Sequence, residues 1–234
     1  MECQNCGNNF EENYCNICGQ KIIKNRYTLK DVLVNATDLF FNLERGLIFT
    51  VKELSLRPGI LITEYIAGKR VKYYNPFKFL VIFIAVGTFF SLKIEELGAK
   101  SRIIKITESS TDTIFIFFTN YWDILSLLLV PIFSIFSFLL FKRSGYNFTE
   151  NLILNSYVVG YHSLISTIFY LIFWIFNPEW GSGLYPMILG FAFSTICYIQ
   201  FFKVNLIEGI IKSFLVTVFG YSLFMILLLL SILF

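Results

Sequence analysis

Long apolar segments, separated by short polar ones, dominate the last two thirds of the chain. A hydrocarbon core of about 30 Å needs roughly 20 apolar residues in an α-helix. Four segments meet that length: residues 121–141, 150–176, 184–202 and 214–234. A fifth, 77–94, has Lys78 and Lys93 near its ends, so both amines must reach towards the headgroups if it crosses. The pattern predicts an all-α polytopic membrane protein with about five transmembrane helices.

Shorter helical patterns precede the first span. Apolar residues recur at helical spacing up to Gly46, which predicts a first helix. Residues 47–56 continue as a second short helix. A third helix follows, because Pro58 suits its first turn and Gly68 suits its C-terminal end. Such amphipathic helices either lie in the headgroup plane or pack on one another beneath it. We therefore predict three regions: a cysteine module at 1–20, an amphipathic juxtamembrane connector at 21–75 and a transmembrane helical domain at 76–234.

Composition and charge agree with this interpretation. Hydrophobic residues make up 56% of the chain and charged residues 15%, whereas soluble domains have roughly 45–50% and 25%. The first twenty residues contain no apolar run, which excludes a signal peptide there. Lys and Arg flank the short loops after residues 141 and 202, and the loop at 177–183 contains neither. Because positively charged loops stay in the cytoplasm, we expect the N-terminus inside and the C-terminus outside.

Four cysteines near the N-terminus follow the pattern Cys-x2-Cys-x8-Cys-x2-Cys, with a glycine after each pair: Cys3, Cys6, Cys15 and Cys18. Glycine permits a tight turn that points backbone N–H groups at the sulfurs, and four thiolates complete a tetrahedral zinc shell. We predict one structural zinc ion, which supplies the folding energy of the module, with Phe10 and Tyr14 as a small core. Disulfides or a redox Cys-x-x-Cys pair are disfavoured in a reducing cytoplasm. Iron is a further alternative.

Short motifs around this module suggest a family. The run 14–20, Tyr-Cys-Asn-Ile-Cys-Gly-Gln, is followed by Arg26-Tyr27-Thr28, Arg57-Pro58-Gly59, the run 65–70 and Tyr74-Asn75-Pro76-Phe77. In this combination the chain resembles a bacterial family of uncharacterised multi-pass membrane proteins with an N-terminal zinc ribbon, domain of unknown function family 3667. The resemblance covers about a third of the chain and implies an inner (cytoplasmic) membrane location. It implies no activity.

Basic residues cluster where the connector meets the first span: Lys69, Arg70, Lys72 and Lys78. They are candidates for contact with anionic lipid headgroups, with the neighbouring tyrosines at interface depth. Ordinary anchoring of a positive cytoplasmic segment explains the same cluster. Nucleic acid is not expected as a partner, because the formal net charge is only +3 and the chain is tethered to a membrane.

Polar residues recur on one predicted face of the segment 150–176: Asn151, Asn155, His162 and Ser166. Their spacings of four, seven and four residues follow the helical repeat. One interpretation is that they hydrogen-bond to neighbouring helices, and the other is that they line a polar pathway or ligand pocket. His162, the single histidine of the chain, decides between the two.

Three classes of function follow from these features. The leading hypothesis is a non-enzymatic membrane protein whose cytoplasmic zinc ribbon is a docking platform for a protein partner or a second copy of the chain. The alternative is a small transporter or lipid-handling protein that uses the polar face around His162. A membrane enzyme is the weakest hypothesis, because one histidine, few buried carboxylates and no Cys-His or Ser-His-Asp spacing leave little for catalysis.

Overall fold

The computed structural model describes residues 2–9, 11, 13–20, 46–102, 124–176 and 185–233. Those residues contain the α-helices α1 (Leu47–Leu56), α2 (Pro58–Ile66), α3 (Pro76–Arg102), α4 (Leu129–Leu140), α5 (Phe148–Phe176), α6 (Tyr185–Phe202) and α7 (Leu206–Leu233). The predicted all-α fold class is confirmed, and α1 begins and ends where the sequence pattern placed it. The predicted helix before Gly46 and the start of the predicted span 121–141 lie outside the described residues.

Among the described residues, three helices are long and apolar enough to cross a membrane, over Pro76–Lys93, Phe148–Ile172 and Leu206–Leu230. Within the described part of the chain, two shorter apolar helices accompany them, Ser126–Leu140 and Met187–Phe202. The segment 77–94, with a lysine near each end, is therefore part of one continuous helix. The predicted start of the last span was wrong, because α7 begins at Leu206 and not at Phe214.

An asparagine stands immediately before each of α3, α5 and α7. The Asn75 side-chain oxygen accepts from the backbone N–H groups of Phe77 and Lys78 at 3.0 and 3.3 Å. Pro76, the first residue of α3, has no backbone N–H and therefore needs no acceptor there. Asn147 accepts from the backbone N–H of Glu150, whose carboxylate accepts in return from Asn147, at 2.8 and 2.7 Å. These contacts satisfy N–H groups that the first helical turn leaves unpaired.

The third cap explains where α7 begins. Asn205 accepts from the backbone N–H of Glu208 at 2.8 Å, so the helix starts directly after it. Glu208 also pairs with Lys212 at 2.7 Å, one turn further along. Polar residues that the hydropathy pattern assigned to a loop thus form the first turns of the last helix.

The five apolar helices form a bundle around α5, which packs against α3, α4 and α6. The order of contacts gives their directions: Phe79 and Phe83 of α3 meet Tyr157 and Ser163 of α5, so these two helices run parallel. α4 and α6 run antiparallel to α5, and α7 packs antiparallel against both. Consequently α3, α5 and α7 begin, and α4 and α6 end, at the same end of the bundle. We call this end the base.

The α1–α2 pair packs into the base. Leu54, Leu61 and Ile62 are fully buried, and the Ser55 hydroxyl lies 2.7 Å from the Tyr161 hydroxyl of α5. At Gly59, α2 approaches the backbone of α6 so closely that a Cβ atom would lie 2.6 Å from the backbone nitrogen of Phe201. Only glycine fits at such a contact. The connector helices α1 and α2 are therefore built into the bundle.

Basic residues occur in each of the three segments that meet at the base: 69–75, 141–147 and 203–205. This agreement between helix direction and charge is what successive spans produce, because each crossing carries the chain to the opposite side and basic loops stay on one side. The arrangement predicts that the turns after α4 and α6 share one side of the membrane, and that the far end of α3 lies on the other.

We expect Ser144→Cys and Val204→Cys to react with a membrane-impermeant maleimide from one side of sealed vesicles, and Lys93→Cys from the opposite side. The reason is that the first two positions lie at the base and Lys93 lies near the far end of α3. Labelling before and after detergent permeabilisation measures accessibility from each side. Reaction of all three variants from the same side would mean that α3 does not cross.

Candidate functional site

The four N-terminal cysteines converge on one point. Their sulfur atoms all lie within 4.8 Å of one another, and the pairs Cys3–Cys18 and Cys6–Cys15 are each 3.6 Å apart. A disulfide would need about 2.05 Å, whereas a tetrahedral zinc site with Zn–S bonds of about 2.3 Å has sulfur–sulfur edges of about 3.8 Å. The four sulfurs therefore have the spacing of a tetrahedral metal site, and together they could bind a metal ion.

Two copies of the same backbone turn build this site. In each copy the glycine after the second cysteine donates its N–H to the carbonyl of the first, Gly7 to Cys3 and Gly19 to Cys15, both at 2.8 Å. The first cysteine donates to the carbonyl five residues on, at 2.8 and 2.9 Å. The glycines have φ of 74° and 72°, a region that favours glycine. The sequence repeat is thus a structural repeat.

The electrostatics of the cluster favour a cation. Hydrogen bonding by the backbone N–H of Cys18 lowers the pKa of Cys15 to about 6, and the N–H of Cys6 likewise lowers the pKa of Cys3. The Asn8 N–H acts in the same direction on Cys6, but desolvation and the neighbouring sulfurs outweigh it and raise its pKa to about 12. Four clustered thiols therefore do not all ionise unless a positive ion offsets their charges.

The module lacks the apolar core that the sequence suggested. Tyr14, predicted to pack inside it, is 55% exposed, and Phe10 lies outside the described residues. Among the described residues of the module, the buried cluster consists of Cys3 and Cys15 with Cys18 against them. Cysteine sulfur atoms instead of large apolar side chains occupy its centre, so the prediction for Tyr14 was wrong.

Gln20 attaches the module to the connector. This side chain is buried, donates to the carbonyl oxygen of Gly68, and accepts from the backbone N–H groups of Arg70 and Val71 at 3.2 and 3.4 Å. Its own carbonyl accepts from the N–H of Cys15, which links the attachment directly to the cysteine cluster. Two motifs that are distant in sequence, Cys-Gly-Gln and Gly-Lys-Arg, therefore meet in the structure.

A carboxylate organises the charges beside this attachment. Glu64 accepts from the hydroxyl of Tyr73 and pairs with Lys69 at 3.1 Å and Lys72 at 4.0 Å. The Tyr73 hydrogen bond, followed by those lysines, lowers the pKa of Glu64. A carboxyl with a lowered pKa stabilises the fold above its ordinary pKa and loses that contribution as the pH falls. We call these four residues the Glu64 cluster.

The structure separates the four predicted headgroup residues. Lys69 and Lys72 belong to the Glu64 cluster, with side chains 43% and 41% exposed. The Arg70 guanidinium lies over the Tyr65 ring at 5.7 Å. Lys78 is only 6% exposed, because it lies in the first turn of α3 against the bundle. Contact with lipid headgroups stays a prediction for Lys69, Arg70 and Lys72, and the placement of Lys78 is unfavourable to it.

The predicted polar face of α5 divides into two parts. Asn151 accepts from the Ser137 hydroxyl of α4 at 2.8 Å. Asn155 donates to Ser134 and Ser137 at 3.2 and 3.1 Å and accepts from the Tyr198 hydroxyl of α6 at 2.7 Å. Both asparagines are almost fully buried. This first part of the face joins three helices, as the hydrogen-bonding interpretation predicted.

His162 and Ser166 form the second part. The His162 Nε2 atom lies 3.2 Å from the Ser166 hydroxyl, and the imidazole packs against Gly190 of α6, where a Cβ atom would lie 2.6 Å from Nε2. The two asparagines and the histidine therefore contact different residues of the neighbouring helices. A ligand or proton pathway at His162 stays a prediction.

The α4–α5–α6 network predicts that Asn155→Leu lowers the free energy of unfolding by about 1–3 kcal/mol, since it leaves the buried Tyr198 hydroxyl without its acceptor and removes the bonds to Ser134 and Ser137. Ser156→Ala is the matched control. Ser156 is the next residue and equally buried, and its hydroxyl bonds only to the carbonyl one turn earlier, Leu152, at 2.7 Å. Thermal unfolding in detergent measures both variants, and equal losses of stability would contradict the assigned network.

Residues 44–88 match a family described as "Protein of unknown function (DUF3667)". The described part of this segment comprises α1, α2, the Glu64 cluster and the first half of α3. It packs against the base of the bundle and hydrogen-bonds to Gln20 of the cysteine module. Comparisons with curated proteins and with solved structures give no match. The resemblance to domain of unknown function family 3667 is therefore confirmed over residues 44–88, the part of this chain that matches the family.

Proposed function

We propose that the chain is a non-enzymatic integral membrane protein that holds a zinc-bound module at the cytoplasmic face of a bacterial inner membrane, as a docking platform for a protein partner. The observation that carries this proposal is the buried Gln20, which bonds to three backbone groups of the connector. A module that served only to bind metal would need no such attachment.

Zinc is the ion that the donor set favours. Four thiolates at tetrahedral spacing suit zinc, and a closed shell of four protein ligands leaves no position for a substrate. The ion would be structural, held by Cys3, Cys6, Cys15 and Cys18, and it would supply the folding energy that the described residues of the module do not obtain from an apolar core.

The module also carries exposed apolar residues that suit a protein partner. Tyr14 is 55% and Ile17 70% exposed, although Tyr14 is adjacent to the buried Cys15 and Ile17 to the half-buried Cys18. Exposed aromatic and aliphatic side chains on a rigid scaffold are typical of protein interfaces. Because Gln20 fixes the module on the bundle, a partner that bound these residues would be held at a defined position on the membrane surface.

Purified full-length protein should contain one zinc ion per chain, and Cys15→Ser should lose it while the helices stay folded. Removal of zinc should also release Gln20, so amide hydrogen exchange at Arg70 and Val71 should accelerate. Elemental analysis and exchange mass spectrometry measure the two effects. Protein purified without metal, with its cysteines paired as disulfides, would contradict the zinc assignment.

A stoichiometric partner, or a second copy of the chain, should be recovered with the wild type from detergent-solubilised membranes and be lost in Ile17→Asp, because a charge would disrupt an apolar contact. Asn13→Asp is the matched control, since it adds the same charge at another exposed position of the module. Quantitative mass spectrometry of the two purifications compares recovery, with zinc content as a check on folding. Equal recovery with both variants would refute a docking surface at Ile17.

A further inference from the structure

Two turns lie side by side at the base. One follows α4 and contains the single-turn helix Lys142–Ser144, and the other joins α6 to α7 at residues 203–205. Phe141 stacks on Phe202 with ring centroids 4.0 Å apart and planes 8° from parallel, and Tyr146 stacks on Phe201 at 4.1 Å. The stacked rings hold the two turns in a fixed arrangement.

Exposed cations extend from both turns. Lys142, Arg143 and Lys203 are all exposed, and none of the acidic residues in the described ranges forms an ion pair with them. Lys69 and Lys72, at the same end of the bundle, differ in this respect because they pair with Glu64. The two turns therefore present three exposed cations that pair with no carboxylate of the described residues.

The local conformation adds a second argument. Lys203 has φ of 54°, a left-handed conformation that glycine adopts with less strain. Compensation of the helix dipole explains one cation at each C-terminal end of α4 and α6. It does not explain why the turn after α4 carries two cations, Lys142 and Arg143. Nor does it explain why aromatic stacking holds the two turns side by side.

We propose that Lys142, Arg143 and Lys203 together bind the phosphodiester headgroups of anionic lipids in the leaflet at the base. The inference rests on the membrane placement in the proposed function and is independent of the metal and of the partner. Basic residues at the membrane surface are attracted to anionic lipid, and each additional cation strengthens the contact. The site differs from the sequence-predicted set, in which two of the lysines are paired with a carboxylate.

Native mass spectrometry of the full-length protein, titrated with phosphatidylglycerol and with phosphatidylcholine, tests the proposal. Phosphatidylglycerol should bind preferentially, and Lys142→Gln with Lys203→Gln should weaken it about 30-fold, roughly fivefold for each charge removed. The matched control is Lys69→Gln with Lys72→Gln, which removes the same charge from the same end. It should weaken binding less than about threefold, because those lysines are paired with Glu64.

The outcomes separate the possible explanations. Equal weakening by the two double variants would mean that lipid binding depends only on net charge, and it would overturn the proposal. Equal affinity of the wild type for both lipids would also overturn it. If the glutamine variant fails to fold, Lys142→Arg with Lys203→Arg serves instead and should keep the preference. Zinc content and partner recovery should not change in any lipid variant, so failure here is distinguishable from failure of the proposed function.

Discussion

Hydrogen bonds between α5 and its neighbours are the interactions on which the rest of this structure depends. A polar group without a partner in a hydrocarbon core costs several kcal/mol, and several polar side chains on α5 find their partner on another element. Asn155 bonds to α4 and α6, Tyr157 to the carbonyl before α3, Tyr161 to α1 and Ser163 to α3. α5 thereby sets the position of five neighbouring elements.

The position of the cysteine module follows from this arrangement. Tyr157 of α5 holds the carbonyl of Tyr74, and Tyr74 in turn donates its N–H to Thr50 of α1. The connector between α2 and α3 is therefore fixed at both ends, and its backbone offers Gln20 a rigid surface. A small cysteine module without such contacts would have no defined orientation, whereas this one shares a continuous set of hydrogen bonds with the bundle.

Several features could be predicted from the sequence because they depend on residues close together in the chain. Two Cys-x-x-Cys-Gly units are sufficient to form two turns, Pro58 begins a helix, and the apolar segments form helices. The start of α7 was also predictable in principle, since Asn205-x-x-Glu208 repeats the capping pattern of Asn147-x-x-Glu150. Hydropathy alone missed it, because a charged first turn lowers the apolar average.

The sequence by itself determined the helical class, the cysteine cluster and the polar face of α5, since each follows from local spacing and backbone hydrogen bonding. Only the tertiary structure decided which neighbour each polar group meets. Helical periodicity places Asn155 and His162 on one face, but Asn155 bonds to α4 and to Tyr198 of α6, whereas His162 lies against Gly190 of α6. Likewise, Lys69 lies close enough to Glu64 to form an ion pair, whereas Lys142 pairs with none of the described carboxylates. The sequence does not determine this difference, because Coulomb attraction depends on distances in space.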